Sequence, residues 1–221
     1  MGISAGLGTA GLQPAVCTST TRPAAPYEGQ MIYETDTDLT YLYSGSAWTQ
    51  ISGSTAKGNS GLVYITEQSF SGVTSVSFNN CFTSSYDNYQ IVISMVGSVG
   101  GNAYNMRLRA DGSDATGTSY FYYGFYWTTS ANNLTTSSAT GWFLSNRSTG
   151  TSYDSCIVDV FNPQRAVLTS HQVEAIEVNT GLLIRTGGFY NSATAQWDGF
   201  TLYPGSGTIT GKAIVYGYRQ A

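Results

Sequence analysis

From Val73 onward the chain alternates apolar and polar side chains with a period of two. Val73-Thr74-Ser75-Val76-Ser77-Phe78 opens the pattern, and Tyr89, Ile91, Ile93 and Met95 then fall on one side of a second segment. Successive side chains of a strand point to opposite faces, so this spacing predicts half-buried strands. Met106, Leu108 and Ala110 oppose Asn105, Arg107 and Arg109 in the next segment, which ends at Asp111-Gly112, a dipeptide suited to tight hairpin turns. Cys156, Val158 and Val160 alternate with Ile157, Asp159 and Phe161 up to Asn162-Pro163, where proline lacks the amide donor that a ladder needs. Residues 167–175, 182–184 and 200–202 continue the series. The last segment, 209–218, sets Ile209, Gly211, Ala213 and Val215 against Thr210, Lys212, Ile214, Tyr216 and Tyr218. Residues 120–127, YFYYGFYW, are aromatic on both faces and broken only by Gly124. No window carries a helical apolar period. The pattern predicts an all-β domain over residues 62–221, an antiparallel jelly-roll-like β-sandwich of about eight to ten strands.

Residues 21–52 read differently. Thr21-Arg22-Pro23 and Pro26 cannot continue a helix, because proline biases its predecessor towards extended backbone. Gln30-Met31-Ile32-Tyr33-Glu34-Thr35 predicts a strand, Asp36-Thr37-Asp38 a turn, and Leu39-Thr40-Tyr41-Leu42-Tyr43 a returning strand; Ala47-Trp48-Thr49-Gln50-Ile51 closes the unit. This small β-meander has few apolar side chains to bury, so it should need a neighbouring surface or copies of itself to stay folded. Before it, residues 1–20 carry Gly6, Gly8, Gly11 and Pro14 among small residues and predict an extended glycine-rich leader. Residues 53–61, GSTAKGNSG, predict a flexible linker.

Composition narrows the function. Charged residues make up 10% of the chain, whereas there are 17 Tyr and 26 Gly, a balance that suits paired sheets and buried contacts better than disorder. The net charge of −4, with no cluster of Lys or Arg, argues against nucleic-acid binding, which needs a basic stripe to displace counterions. No apolar run reaches the length of a membrane span, and the N-terminus has neither the basic region nor the apolar core of a secretory signal, so no membrane insertion is expected. Cys17, Cys81 and Cys156 are widely spaced and predict buried free thiols rather than a disulfide framework or a zinc site.

Catalytic readings fare poorly. Gly6-Leu7-Gly8-Thr9-Ala10-Gly11 has dinucleotide-turn spacing, but no strand precedes it and Pro14 follows. The run 205–212 is one residue too long for a phosphate-binding loop and has Ala213 where Ser or Thr should stand. His171 is the only histidine and shares a strand side with Val167 and Val173, which predicts a hydrogen-bonded structural histidine. Of the carboxylate pairs, Asp36 with Asp38 and Asp111 with Asp114 sit in turn sequences, while Glu174 and Glu177 would lie on opposite faces of a strand. No catalytic, metal or cofactor site is therefore expected. Tyr120, Tyr122, Tyr123, Tyr126, Trp127, Trp142 and Trp197 remain as rings that could meet a glycan, a core or a subunit. A strand aromatic on both faces suggests one face in the core and one against a partner, which a homotrimer would supply.

Two stretches carry a resemblance. Arg22-Pro23 and Pro26-Tyr27, then Gly29-Gln30-Met31-Ile32-Tyr33-Glu34-Thr35-Asp36, a Tyr-rich strand and Gly45-Ser46-Ala47-Trp48, resemble a module recurrent near the N-terminus of tail-fibre, tail-associated and head-fibre subunits of tailed bacteriophages. The C-terminal run 205–219 is similar to the last strands of such subunits. The resemblance implies a non-enzymatic virion structural protein, assembled in the host cytoplasm and attached to other virion proteins through its N-terminal segment. Leu7, Leu12, Arg22, Pro23, Tyr27, Tyr33 and Trp48 are the expected attachment residues. Tyr122, Tyr126, Trp127, Trp142 and Trp197 are the candidates for contact with a host-surface glycan or a second subunit. Alternatives are a capsid head-fibre or decoration protein, and a carbohydrate-binding recognition module.

Overall fold

A computed structural model describes residues 14–52, 61–101, 103–127, 131–146, 149 and 151–219, without the side chains of 126–127 and 131–137. Most of the glycine-rich leader, with Leu7 and Leu12, and all but the last residue of the linker lie outside the described residues. The chain divides into two compact units, Met1–Asn59 and Ser60–Ala221.

The first unit is a four-stranded sheet in the order β1-β2-β3-β4. Three strands follow the sequence expectation: β2 (Met31–Glu34), β3 (Leu39–Tyr43) and β4 (Trp48–Gln50). The fourth, β1 (Ala15–Cys17), pairs parallel with β2 and lies in what reads as leader, so the boundary at residue 20 is corrected. Three residues are too short to show a period. Their place comes instead from distant contacts, among them Ser19 N donating to Asp36 Oδ1 at 2.9 Å. Among the described residues of this unit only Ile32 and Glu34 are buried. The fully buried Glu34 accepts from Arg22 Nε and from Thr37 Oγ1, the latter at 2.9 Å. The Arg22 guanidinium lies 4.4 Å from the Tyr41 ring centroid. A buried carboxylate must be paired, and here the pairing takes the place of an apolar core.

The second unit is an antiparallel β-sandwich. Its larger sheet has eight strands in the order β11-β10-β15-β14-β13-β7-β17-β5. These are β5 (Leu62–Val73), β7 (Asn88–Gly97), β10 (Tyr120–Trp127), β11 (Ala131–Ala139), β13 (Asp154–Phe161), β14 (Thr169–Glu177), β15 (Leu182–Tyr190) and β17 (Ile209–Tyr218). The smaller sheet orders β12 (Trp142–Asn146), β8 (Ala103–Ala110), β16 (Gly199–Pro204) and β6 (Val76–Phe78), with β9 (Ser113–Asp114) paired to β8. The alternations in β7, β8, β13 and β17 set the inward faces as expected, burying Ile91, Ile93, Met106, Leu108, Val158, Ala213 and Val215 to 1% exposure or less. Rings fill the space between the sheets: Phe78 stacks on Phe200 at 4.6 Å, and Trp142 lies 4.1 Å from the His171 ring.

The unit has thirteen strands among the described residues, more than the eight to ten expected. The extra ones carry no clean alternation. β5 is a twelve-residue sheet-edge strand with mostly exposed or half-buried side chains, and Trp142 to Ser145 in β12 are all buried. Gly124 in β10 has a structural reason, because a Cβ added there would sit 2.1 Å from the Arg185 carbonyl oxygen and 2.7 Å from Thr186 Cα. The neighbouring strand approaches too closely for any side chain.

Denaturant unfolding of the full chain should therefore separate the two faces of the sandwich. Trp142→Ala is expected to destabilise by about 3–5 kcal/mol through the cavity it leaves. Tyr123→Ala, on the exposed side of β10, should stay within about 0.5 kcal/mol.

Candidate binding face

One side of the eight-stranded sheet packs on the smaller sheet, and the other side is left uncovered by the described residues of this unit. Because strands pair in register, the outward residues fall into transverse rows. One row runs Tyr123, Gly187, Gln172, Asp159, Gln90 and Tyr216 through β10, β15, β14, β13, β7 and β17. The next runs Phe125, Arg185, Glu174, Ile157 and Val92. A third places Leu183 opposite Ile176 and then Ser155. On the far side of the first row, Phe121 stacks on Phe189 with centroids 4.9 Å apart.

All of the first two rows except Tyr216 and Val92 line a groove of about 580 Å³ that is open to solvent. Its polar groups are held in place. Tyr218 donates its hydroxyl proton to Asp159 Oδ1 at 2.7 Å, and Gln90 Nε2 donates to that oxygen at 3.1 Å and to the Tyr218 hydroxyl at 3.0 Å. Burial, and then the hydrogen bond to Asp159, push the Tyr218 hydroxyl up to about 12, so it stays a donor. Arg185 Nη2 lies 2.7 Å from Glu174 Oε2, an exposed pair whose main effect is to fix two planar groups side by side. Gly187 leaves a gap in its row: a Cβ there would lie 3.4 Å from the His171 carbonyl oxygen and 3.7 Å from Gln172 Cγ, ordinary contact distances.

The expected contact residues are only partly on this face. Trp142 and Trp197 are buried in the sandwich, at 0% and 8% exposure, and are corrected from candidate contacts to core. Tyr122 points inward and stacks on Phe143, so it too is corrected. The side chains of Tyr126 and Trp127 lie outside the described ones, although the β10 backbone pairs these residues with Ile184 and Leu183. Of the rings that the sequence offers, Tyr123 faces the groove, at 51% exposure. Phe125, Gln90, Gln172, Asp159, Arg185 and Gly187 were missed; the signal available was the shared parity of Phe121, Tyr123 and Phe125 with the polar positions of neighbouring strands.

In the first unit, Arg22 is engaged by Glu34, the Tyr33 hydroxyl donates to Asp38 Oδ1 at 2.7 Å, and Trp48 packs on Tyr43 at 5.2 Å. Pro23 is half-buried, whereas Tyr27 is open to solvent at 70% exposure. Glu174 and Glu177 do lie on opposite faces: Glu174 is exposed, and Glu177 is buried and accepts from the Thr180 and Asn179 amides at 3.1 Å. Asp114 pairs with Arg109 and accepts from Thr201 Oγ1 at 2.7 Å. Cys81 and Cys156 are buried free thiols; Cys17 is only half-buried, because β1 is a strand of a unit without a core.

His171 shares its inward side with Val173, as expected, but Val167 precedes the strand and is exposed. No well-formed hydrogen bond reaches either ring nitrogen, which corrects the expectation of a hydrogen-bonded histidine. Burial lowers its imidazole from 6.5 to about 3, weakly opposed by the Gly188 backbone. Since the folded value lies below the unfolded one, the unfolded chain takes up the proton first as pH falls. Stability is then lost from about pH 6.5 downward, by up to about 1.4 kcal/mol per pH unit, and the loss levels off near the folded value. Urea titrations across that range should show the slope, and His171→Phe, which keeps a ring against Trp142, should lack this histidine's share of it.

Comparison of the chain with known protein families, with characterised proteins and with solved structures finds no match.

Proposed function

We propose that the chain is a non-enzymatic structural subunit of a tailed-bacteriophage virion. In this reading it is a homotrimeric tail-fibre or tail-associated subunit, held to the particle by its N-terminal unit and carrying the β-sandwich as its working domain. The observation that carries the proposal is the composition of the first unit, whose residues also carry the resemblance. It buries little beyond Ile32 and Glu34, while Val16, Tyr27 and Met31 stay 68%, 70% and 44% exposed. A sheet with so little interior gains most by docking its apolar surface on another protein. A capsid head-fibre or decoration subunit would use the same surface on a different partner.

Assembly into a trimer finds support on the outer face of the larger sheet. Ile176 and Leu183 stand opposite one another towards one end of it with 49% and 38% exposure, an apolar pair that a second subunit would cover. The non-enzymatic reading finds support in the two carboxylates that line the groove on that face. Glu174 is exposed and engaged by Arg185, and Asp159 accepts from Tyr218 and Gln90, so neither is presented as a proton donor to a glycosidic oxygen.

Two measurements test this. Arg22→Ala leaves Glu34 buried without its cation, so the full-length variant should be missing from purified particles while the sandwich keeps its melting transition; normal incorporation would refute the attachment role. Sedimentation equilibrium should give three times the chain mass, and Ile176→Glu should shift it to one; a monodisperse wild-type monomer would end the trimer proposal.

A further inference from the structure

We propose that the groove on the outer face of the eight-stranded sheet binds a neutral glycan chain laid across the strands. Its rings would stack on Tyr123 and Phe125, and its hydroxyls would bond Gln172, Gln90 and Asp159. This inference does not rest on the virion reading, because it follows from the chemistry of the groove alone.

The carboxylates there are engaged from within: Glu174 is paired with Arg185, and Asp159 accepts hydrogen bonds from Tyr218 and Gln90, which leaves the lining one carboxylate in excess of its cation and unsuited to an anionic ligand. Among the described residues no uncompensated cation faces the groove to hold a phosphate or a nucleic-acid backbone. The remaining features are a phenol and a phenyl ring, the exposed Ile157 side chain, and planar amide, carboxylate and guanidinium groups that both donate and accept. A sugar presents the same two surfaces, an apolar C–H face and a rim of hydroxyls, and aromatic rings with a few fixed polar groups are what orient such a ligand. A protein partner would favour a dry apolar patch; the exposed Ile176 and Leu183 provide that one row away, outside the groove lining. From Tyr123 to Gln90 the row crosses four ladder steps, about 19 Å at the usual strand spacing, which is room for an extended oligosaccharide.

Gly187 makes the depression in the middle of this row. Its backbone does not require glycine by contact, since an added Cβ would meet only the His171 carbonyl at 3.4 Å and Gln172 Cγ at 3.7 Å. Gly187→Thr therefore fills the groove with a residue that suits a strand.

The test is calorimetric titration of the full chain with neutral gluco-, galacto- and manno-oligosaccharides, tetra- to hexasaccharides, beside an anionic oligogalacturonide. The expected result is saturable binding to a neutral series that Gly187→Thr and Gln172→Ala each weaken tenfold or more, with melting temperature and sedimentation mass unchanged. Absence of binding to every neutral series, binding to the anionic probe alone, or binding that survives Gly187→Thr would overturn the proposal. A change of sedimentation mass in Gly187→Thr would overturn it too, and would assign the groove to a subunit contact. A chain that binds the glycan but fails to enter particles keeps this site and loses the virion reading.

Discussion

Burial of one face of the eight-stranded sheet against the smaller sheet is the constraint from which the rest of the second unit follows. Trp142, fully buried on β12, sits against His171 of β14 and meets Tyr120 of β10 edge-on, so one side chain ties the smaller sheet to distant strands of the larger. Thr186 adds an inter-sheet hydrogen bond to the Phe143 carbonyl at 3.3 Å. Interiors are packed at crystal-like density, so the inward residue of each strand is fixed by its neighbours across the sandwich. With a side-chain period of two, fixing the inward residues also fixes which ones face out. The open face is therefore as rigidly specified as the core.

That specification gives the face its grading. Moving along the strands, the rows pass from Leu183 and Ile176, through the Arg185–Glu174 pair, to the Gln172, Asp159 and Gln90 row, and on to the stacked Phe121 and Phe189. Apolar and polar chemistry are thus separated by roughly one to two residue repeats, about 7–14 Å. A single sheet can then offer one end to another subunit and another end to a soluble ligand without loops. Because the groups stand on paired strands, they are already ordered before anything binds, which limits the entropy lost on association.

The first unit shows a different solution. Where the sandwich buries an extended set of apolar side chains, the small sheet is organised around Glu34, Arg22 and Tyr41. Such a pair gives little net stability, because the charges lose their hydration on burial, but it strongly penalises any arrangement that separates them. It specifies one fold for a sheet too small to be specified by packing. The left-handed backbone at Asp38, φ 55°, closes the turn between β2 and β3 in the same economical way, with an Asp that also accepts from Tyr33.

The sequence by itself determined the all-β class, three strands of the first unit and the inward faces of β7, β8, β13 and β17, because a half-buried strand writes its two environments into alternate residues. It also separated Glu174 from Glu177, since parity along one strand is a local property. Only the tertiary structure decided which rings are available. Tyr122 and Tyr123 are neighbours of the same chemistry, yet one packs on Phe143 and the other faces solvent, and Trp142 is indistinguishable in sequence from a surface tryptophan. Nor could the groove be read in advance: Tyr123, Gln172, Asp159 and Gln90 come from four strands, and their row exists only through the pairing register. Sequence records what each residue's own strand demands of it, whereas a binding face is set by which strands become neighbours, and that is settled by the global burial of the core.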